Sequence, residues 1–369
     1  MTEPLSEFGV NVHERSVKAW GLEAAVHLVG RSSALLEVQK RLTRFVRIES
    51  PVLLTGESGV GKELFAKSLY LLSRRCGRPF LSINCAQYQN EELLVSEIFG
   101  HKKGSFTGAI TDHPGLFDAA DDGILFLDEV GELSPRAQAM LLRALSEGEI
   151  KPLGGTRVTK VNVRVVAATN RPLRSMVSSN TFREDLYYRL HYFHIEIPPI
   201  RARDDDWRLL ADHFLTRSNS TYADSKRFSE PSLSLLEAYD WPGNVREIQS
   251  IVDVGFCLSE GPTIEPHDIQ YALDSTFSGA SETAKRGEMI VDEAYQLMLE
   301  EGRDFWHVVR EPFLDREMNR SEVRAIVKRG LTDSRGSYKR LLEIFRVEQD
   351  DYLKFMDFLR HHRLKPDRL

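Results

Sequence analysis

Four short apolar runs organise residues 28–200, and a polar or glycine-rich turn follows most of them. The first is Pro51-Val-Leu-Leu-Thr55. A helical stretch over Ala34–Arg47 precedes it, and another over Leu64–Ser73 follows its glycine-rich turn. The second, Phe80–Asn84, leads to a helix over Glu91–Phe99. The third, Gly123–Val130, contains adjacent carboxylates at its end and leads to a helix over Pro135–Gly148. The fourth, Val161–Ala168, comes after a Gly154-Gly155 turn and ends in Thr169-Asn170. Strands alternating with helices in this way predict a parallel sheet covered on both faces, so an α/β fold is expected over 28–200.

From Arg201 the β character disappears. Trp207–Thr216, Ser232–Tyr239 and Gly243–Ser259 read as helices, and together they predict a smaller helical domain over 201–274. Pro242-Gly243 marks the turn into the last of these and places Arg246 in its first turns. Residues 1–27 give only a weak signal, a short helix over Glu14–His27. Ser275–Glu282 has linker composition, and the linker is assigned to 275–290. Beyond it, Val291–Glu300, Phe305–Arg310, Ser321–Gly330, Ser337–Phe345 and Asp350–His362 predict an all-α domain over 291–369.

Composition narrows the function classes. With 41% apolar and 28% charged residues the chain is an ordinary globular one, and its net charge of −6 excludes a protein that is basic throughout. No run reaches the ~18 apolar residues of a membrane span, and the acidic N-terminus does not have the form of a signal peptide. The three cysteines are odd in number, far apart and without a CxxC pair, which points to reduced thiols, a cytoplasmic setting and no zinc site.

The chemistry begins directly after the first strand. Gly56-Glu57-Ser58-Gly59-Val60-Gly61-Lys62-Glu63 joins a strand to a helix, the context in which backbone N–H groups and a helix N-terminus cradle phosphates. Lys62 would reach the β- and γ-phosphates. Glu63 stands where a phosphate loop normally has the Ser or Thr whose hydroxyl binds Mg²⁺. At the end of the third run, Asp128 and Glu129 point in different directions because side chains alternate along a strand. Asp128 is the candidate Mg²⁺ ligand and Glu129 the candidate for polarising the attacking water. Thr169 and Asn170 end the next strand, where a γ-phosphate could be sensed. Arg183 and Arg189 lie six residues apart, about 120° around a helix, so they do not form one fork on a single face. On spacing alone they read equally well as structural ion-pair partners.

One stretch fits none of these elements. Gly100–Gly115 holds four glycines and sets Phe106 between small or polar residues, the pattern of a surface contact loop more than of a buried turn.

Together these motifs resemble the central AAA+ ATPase domain of bacterial enhancer-binding proteins, the activators of sigma-54 RNA polymerase. The likeness runs from about Leu28 to Ala272. It rests on GESGVGKE (56–63), INCA (83–86), SEIFGHKKGSFTGA (96–109), ILFLDEVGELS (124–134), VRVVAATN (163–170), FREDLYYRL (182–190) and WPGNVRE (241–247), all in order. The resemblance implies an AAA+ P-loop NTPase, with a nucleotide-binding subdomain over 28–200 and a helical lid over 201–274. It implies ATP and Mg²⁺ as cofactors, and it makes Glu63 the family's own variant. Asn84 matches an asparagine that restrains the catalytic glutamate by a hydrogen bond until the γ-phosphate is sensed. Arg183 and Arg189 match arginine fingers offered to a neighbouring subunit, which implies a ring, a hexamer by family habit. Arg246 matches the second sensor arginine. Gly104-Ser105-Phe106-Thr107-Gly108-Ala109 is similar to the family's GAFTGA loop, which contacts sigma-54. Ser105 replaces its first alanine, and Phe106 and Thr107 are the expected contacts.

The resemblance implies a helix-turn-helix domain at the C-terminus and promoter-upstream DNA as a partner. From Phe313 onward basic residues exceed acidic ones by four, with Arg335, Lys339, Arg340, Arg346, Lys354, Arg360 and Arg363 available for phosphates. The last helix also carries Tyr352, Phe355, Met356, Phe358 and Leu359, which suit a core or oligomerisation helix equally. The expected function is ATP-driven remodelling of the sigma-54 closed promoter complex. The rival readings are a non-hydrolytic DNA-binding regulator and an AAA+ remodeller of another target.

Overall fold

The structure is a computed structural model of the chain and describes residues 5–88, 90–277, 291–299, 302–314, 318, 320–334, 337–361 and 364. The chain divides near Ala272 into two compact units. In the first unit the strands are β1 (Val52–Thr55), β2 (Phe80–Asn84), β3 (Ile124–Asp128), the short β4 (Glu149–Ile150) and β5 (Thr159–Lys160), β6 (Arg164–Thr169) and β7 (His194–Glu196). Five of them form a parallel sheet in the order β2-β3-β6-β1-β7, while β4 and β5 pair as a separate antiparallel hairpin. The predicted fourth run, Val161–Ala168, is a strand only from Arg164, and the hairpin arm ends at Lys160, just before the run begins.

Alternation along the strands sends side chains to two cores. Leu53, Leu125, Leu127, Val165 and Ala167 face one side. Val52, Leu54, Ile124, Phe126, Val166 and Ala168 face the other. The first core is covered by α4 (Glu91–Phe99), the short α5 (Leu116–Ala119), α6 (Pro135–Glu147), the short α7 (Leu173–Ser178) and α8 (Glu184–His191), and the second by α1 (Glu7–Trp20), α2 (Ser33–Phe45) and α3 (Lys62–Leu72). Register decides where the chemistry falls: Asn84 pairs with Asp128 and Thr55 with Thr169, so four polar strand ends share one edge of the sheet.

The N-terminal helix lies seven residues earlier than its expected span of Glu14–His27. Ser6 caps it by accepting from the Gly9 N–H, and Gly21, at φ 84°, ends it. In the lid, α9 (Asp206–Tyr222) extends the expected Trp207–Thr216, α10 (Glu230–Glu237) and α11 (Asn244–Leu258) lie within two residues of their expected spans, and α12 (Pro266–Phe277) is a further helix that the pattern did not reveal. The expected loss of β structure after Arg201 is not complete, because β8 (Arg227–Phe228) pairs with β9 (Thr263–Ile264). Helix α12 also runs through 275–277, so the first residues assigned to the linker are helical. Residues 278–290 lie outside the described residues.

Among its described residues the second unit is helical. It holds a helix over 291–299, a π-helical turn at Trp306–Arg310 running into Glu311–Leu314, and helices at Arg320–Asp333, Tyr338–Ile344 and Tyr352–His361. Its core includes Phe305, Phe345, Phe355 and Leu359, each fully buried. The apolar residues of the last helix are thus core, while Leu353, Lys354, Asp357 and Arg360 form its exposed stripe. Among the basic residues named for the tail, Arg335 and Arg363 lie outside the described residues. Among the described residues no helix is long and apolar enough to cross a membrane.

Candidate nucleotide site and contact loop

The 56–61 loop turns on three glycines at positive φ, with Gly56 at 151°, Gly59 at 79° and Gly61 at 97°. A side chain is excluded for space as well at Gly59, where a Cβ would stand 2.2 Å from the Gly243 carbonyl oxygen. Lys62 opens α3 and is buried. Its Nζ donates to the carbonyls of Gly56 (3.0 Å) and Glu57 (3.2 Å) and lies 3.6 Å from Glu129 Oε1. Glu63 turns away along the helix surface to pair with Lys67 at 2.8 Å.

The third strand ends at Asp128, and Glu129 follows it in the left-handed region, so strand alternation does not set the directions of the two carboxylates. Burial raises the Asp128 carboxyl above the usual range, and the neighbouring Glu129 charge adds to the shift. Asp128 Oδ1 also accepts the Glu129 N–H at 3.0 Å. Glu129 sits at φ 53°, a conformation that costs a non-glycine residue energy and recurs at functional sites. Its Oε2 accepts the Asn170 N–H at 3.1 Å.

Asn84 departs from its expected contact. Its Nδ2 reaches Asp128 Oδ2 at 3.5 Å, the limit of a hydrogen bond, and its Oδ1 caps the next turn by accepting from the Ala86 N–H. Parallel register is the reason, since Asn84 stands directly beside Asp128. Glu129 is instead held by the Asn170 backbone and Lys62. Thr169 is buried, and its Oγ1 accepts the Arg171 N–H at 3.0 Å.

The lid closes on the loop from the other side. Arg246 Nη1 donates to Ser58 Oγ at 3.2 Å, and the Val245 N–H donates to the Gly59 carbonyl at 3.1 Å. Glu57 accepts both terminal nitrogens of Arg201 and the Asn244 Nδ2. The Arg201 guanidinium holds the Glu57 carboxyl down to about 2. Arg201 and Asn244 were not among the expected site residues, although Asn after Pro-Gly is a recognisable candidate for the left-handed turn that Asn244 adopts at φ 54°.

The 100–115 loop is folded back. His101 and His113 pair across its base, each N–H to the other's carbonyl at 2.9 Å, and Asp112 ties down Lys102 Nζ (2.7 Å) and the Lys103 N–H (2.8 Å). Gly104 and Gly108 take φ 81° and 105°, which reverses the chain around Phe106. Phe106 is half-buried, with its ring edge-on to His101 at 5.0 Å and packed on the first core, so the aromatic is not the exposed tip its neighbours suggested. Thr107 and Ile110 are exposed, and Ala109 is buried. Ser105 packs against Gly154 of the β4–β5 hairpin.

Comparison with known proteins fits this geometry. The family model described as "Sigma-54 interaction domain" matches residues 28–196, and "AAA+ ATPase lid domain" matches 201–286. A Nif-specific regulatory protein of Rhizobium leguminosarum bv. trifolii is 46% identical over 242 residues, 66% of this chain and 68% of that protein. The chain belongs to the sigma-54-dependent activator family.

Regulatory protein AtoC of Escherichia coli (strain K12) is 42% identical over 277 residues, 74% of this chain and 59% of AtoC, so this chain spans little more than half the length of that relative. The crystal structure of NtrX from Brucella abortus in complex with ADP covers 91% of this chain, and this chain covers 69% of that one, with TM-score 0.62 and 24% identity, which supports the fold. For this sigma-54 activator-family chain, the two arginines left open by spacing stand as follows. Arg183 precedes α8 as its N-cap, so helical spacing does not relate it to Arg189, and its guanidinium grips Asp185 (3.1 and 2.8 Å). Arg189 donates twice to the Leu145 carbonyl, at 3.2 and 2.7 Å. Both are exposed, and Arg189, Tyr188 and Asp185 line an open cleft of about 720 Å³ beside α6.

Proposed function

We propose that the chain is an ATPase of the sigma-54 activator family that uses hydrolysis to remodel the closed promoter complex through the 104–109 loop. The observation that carries this reading is the convergence of Lys62, Asp128, Glu129 and the lid's Arg246 on one glycine loop at the sheet edge. When ATP enters, Lys62 exchanges its carbonyl partners for the β- and γ-phosphates, which frees Glu129 from its nearest cation. Glu129 then takes a proton from water as its oxygen bonds the γ-phosphorus and the bond to the β-phosphate oxygen breaks.

The half-buried Asp128, crowded by a second carboxylate, fits a hard cation that takes oxygen ligands. Asp128 would hold Mg²⁺, which neutralises phosphate charge. Thr169 and Asn170 lie where the γ-phosphate is read, and the Asn170 N–H already restrains Glu129. Exposed Arg183 and Arg189 act on a neighbouring subunit's nucleotide in a ring, a hexamer by family likeness. The tucked Phe106 is the retracted form of the loop. Sigma-54 is engaged when nucleotide binding releases Phe106 and Thr107, and the loop must bind its target better in that state than in the other. The exposed stripe of the last helix, with Lys339, Arg340 and Arg346 before it, is the candidate surface for promoter-upstream DNA.

Glu129→Gln tests the chemistry: nucleotide binding stays within about twofold while turnover falls by about 100-fold or more, as for loss of a catalytic base. Normal hydrolysis in that variant removes Glu129 from the mechanism. Thr107→Ala tests the output and should spare hydrolysis while abolishing open-complex formation.

A further inference from the structure

We propose that Glu57 is a positioning residue that latches the lid onto the nucleotide loop through Arg201 and Asn244, and so sets the affinity for a nucleoside triphosphate. The proposal rests on the reading of 56–63 as the nucleotide loop, and it assigns Glu57 a partner other than phosphate. By sequence Glu57 is one more residue of a phosphate cradle. In the structure its carboxylate turns the other way, toward the lid.

Every loop residue from 57 to 60 accepts a hydrogen bond from the lid side. Glu57 takes Arg201 and Asn244. The Ser58 carbonyl takes Asn244 Nδ2 at 3.1 Å, and Ser58 Oγ takes Arg246. The carbonyl of Gly59 takes Val245 N–H, and that of Val60 takes Arg203 Nη2 at 3.1 Å. Only the Arg201–Glu57 pair is charged on both sides, with the guanidinium meeting the carboxylate in a two-point fork. Asn244 makes the arrangement specific. It is fully buried at φ 54°, its Oδ1 accepts the Ile200 N–H at 2.9 Å, and its Nδ2 points at Glu57 and Ser58. The amide thus joins the start of the lid at Ile200, the start of α11 and the loop in one network.

The consequence is mechanical. Arg246 lies two residues beyond Asn244 on the same helix, so the place of Arg246 over the loop depends on how Asn244 is held. Removing the Glu57 carboxylate takes one acceptor from buried Asn244 and both from the Arg201 fork. The lid then opens more often, and nucleotide leaves faster. Asp128 and Glu129 are untouched, so the defect belongs to binding.

Hydrogen exchange of the Val245 amide reads the latch without nucleotide, because that N–H is donated to the loop. Glu57→Ala should exchange there about tenfold faster or more, and Glu57→Gln, which keeps an acceptor for Asn244, by less. With the fluorescent analogue mant-ATP, Glu57→Ala should bind about tenfold more weakly, while kcat at saturating ATP stays within about twofold. Arg201→Met attacks the same contact from the lid side and should match Glu57→Ala, which covers the case in which one variant fails to fold. Wild-type exchange at Val245 with wild-type affinity in a folded variant overturns the latch. So does a loss of kcat at unchanged KM, which would place Glu57 in the chemistry. If the wild-type chain binds no ATP, the ATPase reading falls, and the exchange experiment still decides the latch.

Discussion

Ser105 carries a buried hydroxyl that has no hydrogen-bond partner among the described residues. A buried polar atom left unsatisfied costs about 1–3 kcal/mol, so the retracted loop is held at a disadvantage built into its own sequence. Alanine has the same backbone and no hydroxyl. Ser105→Ala should therefore stabilise the chain by about 1 kcal/mol in urea denaturation and slow exchange of the Ala109 amide, which is donated to the Phe106 carbonyl. If loop release feeds the remodelling output, the same variant should give less open complex at unchanged ATPase rate. A destabilised variant would mean that the hydroxyl is satisfied. The residue scale also explains the mismatch at Asn84. A motif fixes which residue stands at a strand end, whereas parallel register decides which carboxylate it meets.

At the scale of elements, the hairpin and the loop act as one piece. The Lys102 N–H donates to the Leu153 carbonyl, and the Leu153 N–H donates to that of Gly100, both at 2.9 Å. Gly154 at the hairpin turn has φ 68°, and a Cβ there would lie 2.7 Å from Ser105 Cβ. Gly154→Ala should therefore strain the turn and push the loop off the hairpin. The expected result is faster exchange at Lys102 with ATP hydrolysis preserved; unchanged exchange would show that the two elements move independently. The sequence announced the sheet strands and the phosphate loop because buried parallel strands are continuous apolar runs, and β1, β3 and β6 are runs of that kind. It did not announce β7, whose three residues are too short for a pattern, nor β8 and β9, two residues each. Nor did it reveal Arg201 and Asn244, because a contact between a loop and a lid over 140 residues away leaves no local periodicity. Phe106 misled for a physical reason: glycines flanking an aromatic signal a turn, but they do not say whether the turn folds inward.

At the scale of the whole chain, pH acts through a histidine cluster where α1 meets the lid. His27 lies between His13 and His213 with its ring tilted to both, centroids 4.4 and 5.0 Å apart, beside a cleft of about 920 Å³ that Glu14 and Asp212 also line. Burial holds His213 down to about 4, and the charges of His27, Arg217 and His13 add to it. Burial likewise lowers His27. Both rings are therefore neutral in the folded chain at a pH where the unfolded chain already binds protons, which makes folding weaker as pH falls below about 6.5 and continues to weaken it until His213 itself titrates near 4. Asp212 works in the opposite sense, since burial raises its carboxyl and protonation there favours the folded form, but only toward the acid end of that window. Glu57, held at about 2 by Arg201, loses its contribution lower still, below the usual glutamate range. The melting temperature should thus fall by several degrees between about pH 7 and pH 5, and His213→Asn should flatten that slope while leaving the Glu57 loss below about pH 4 in place. A slope that is unchanged in His213→Asn would move the acid sensitivity away from the α1–lid contact and onto His194, which burial also holds below the usual histidine range.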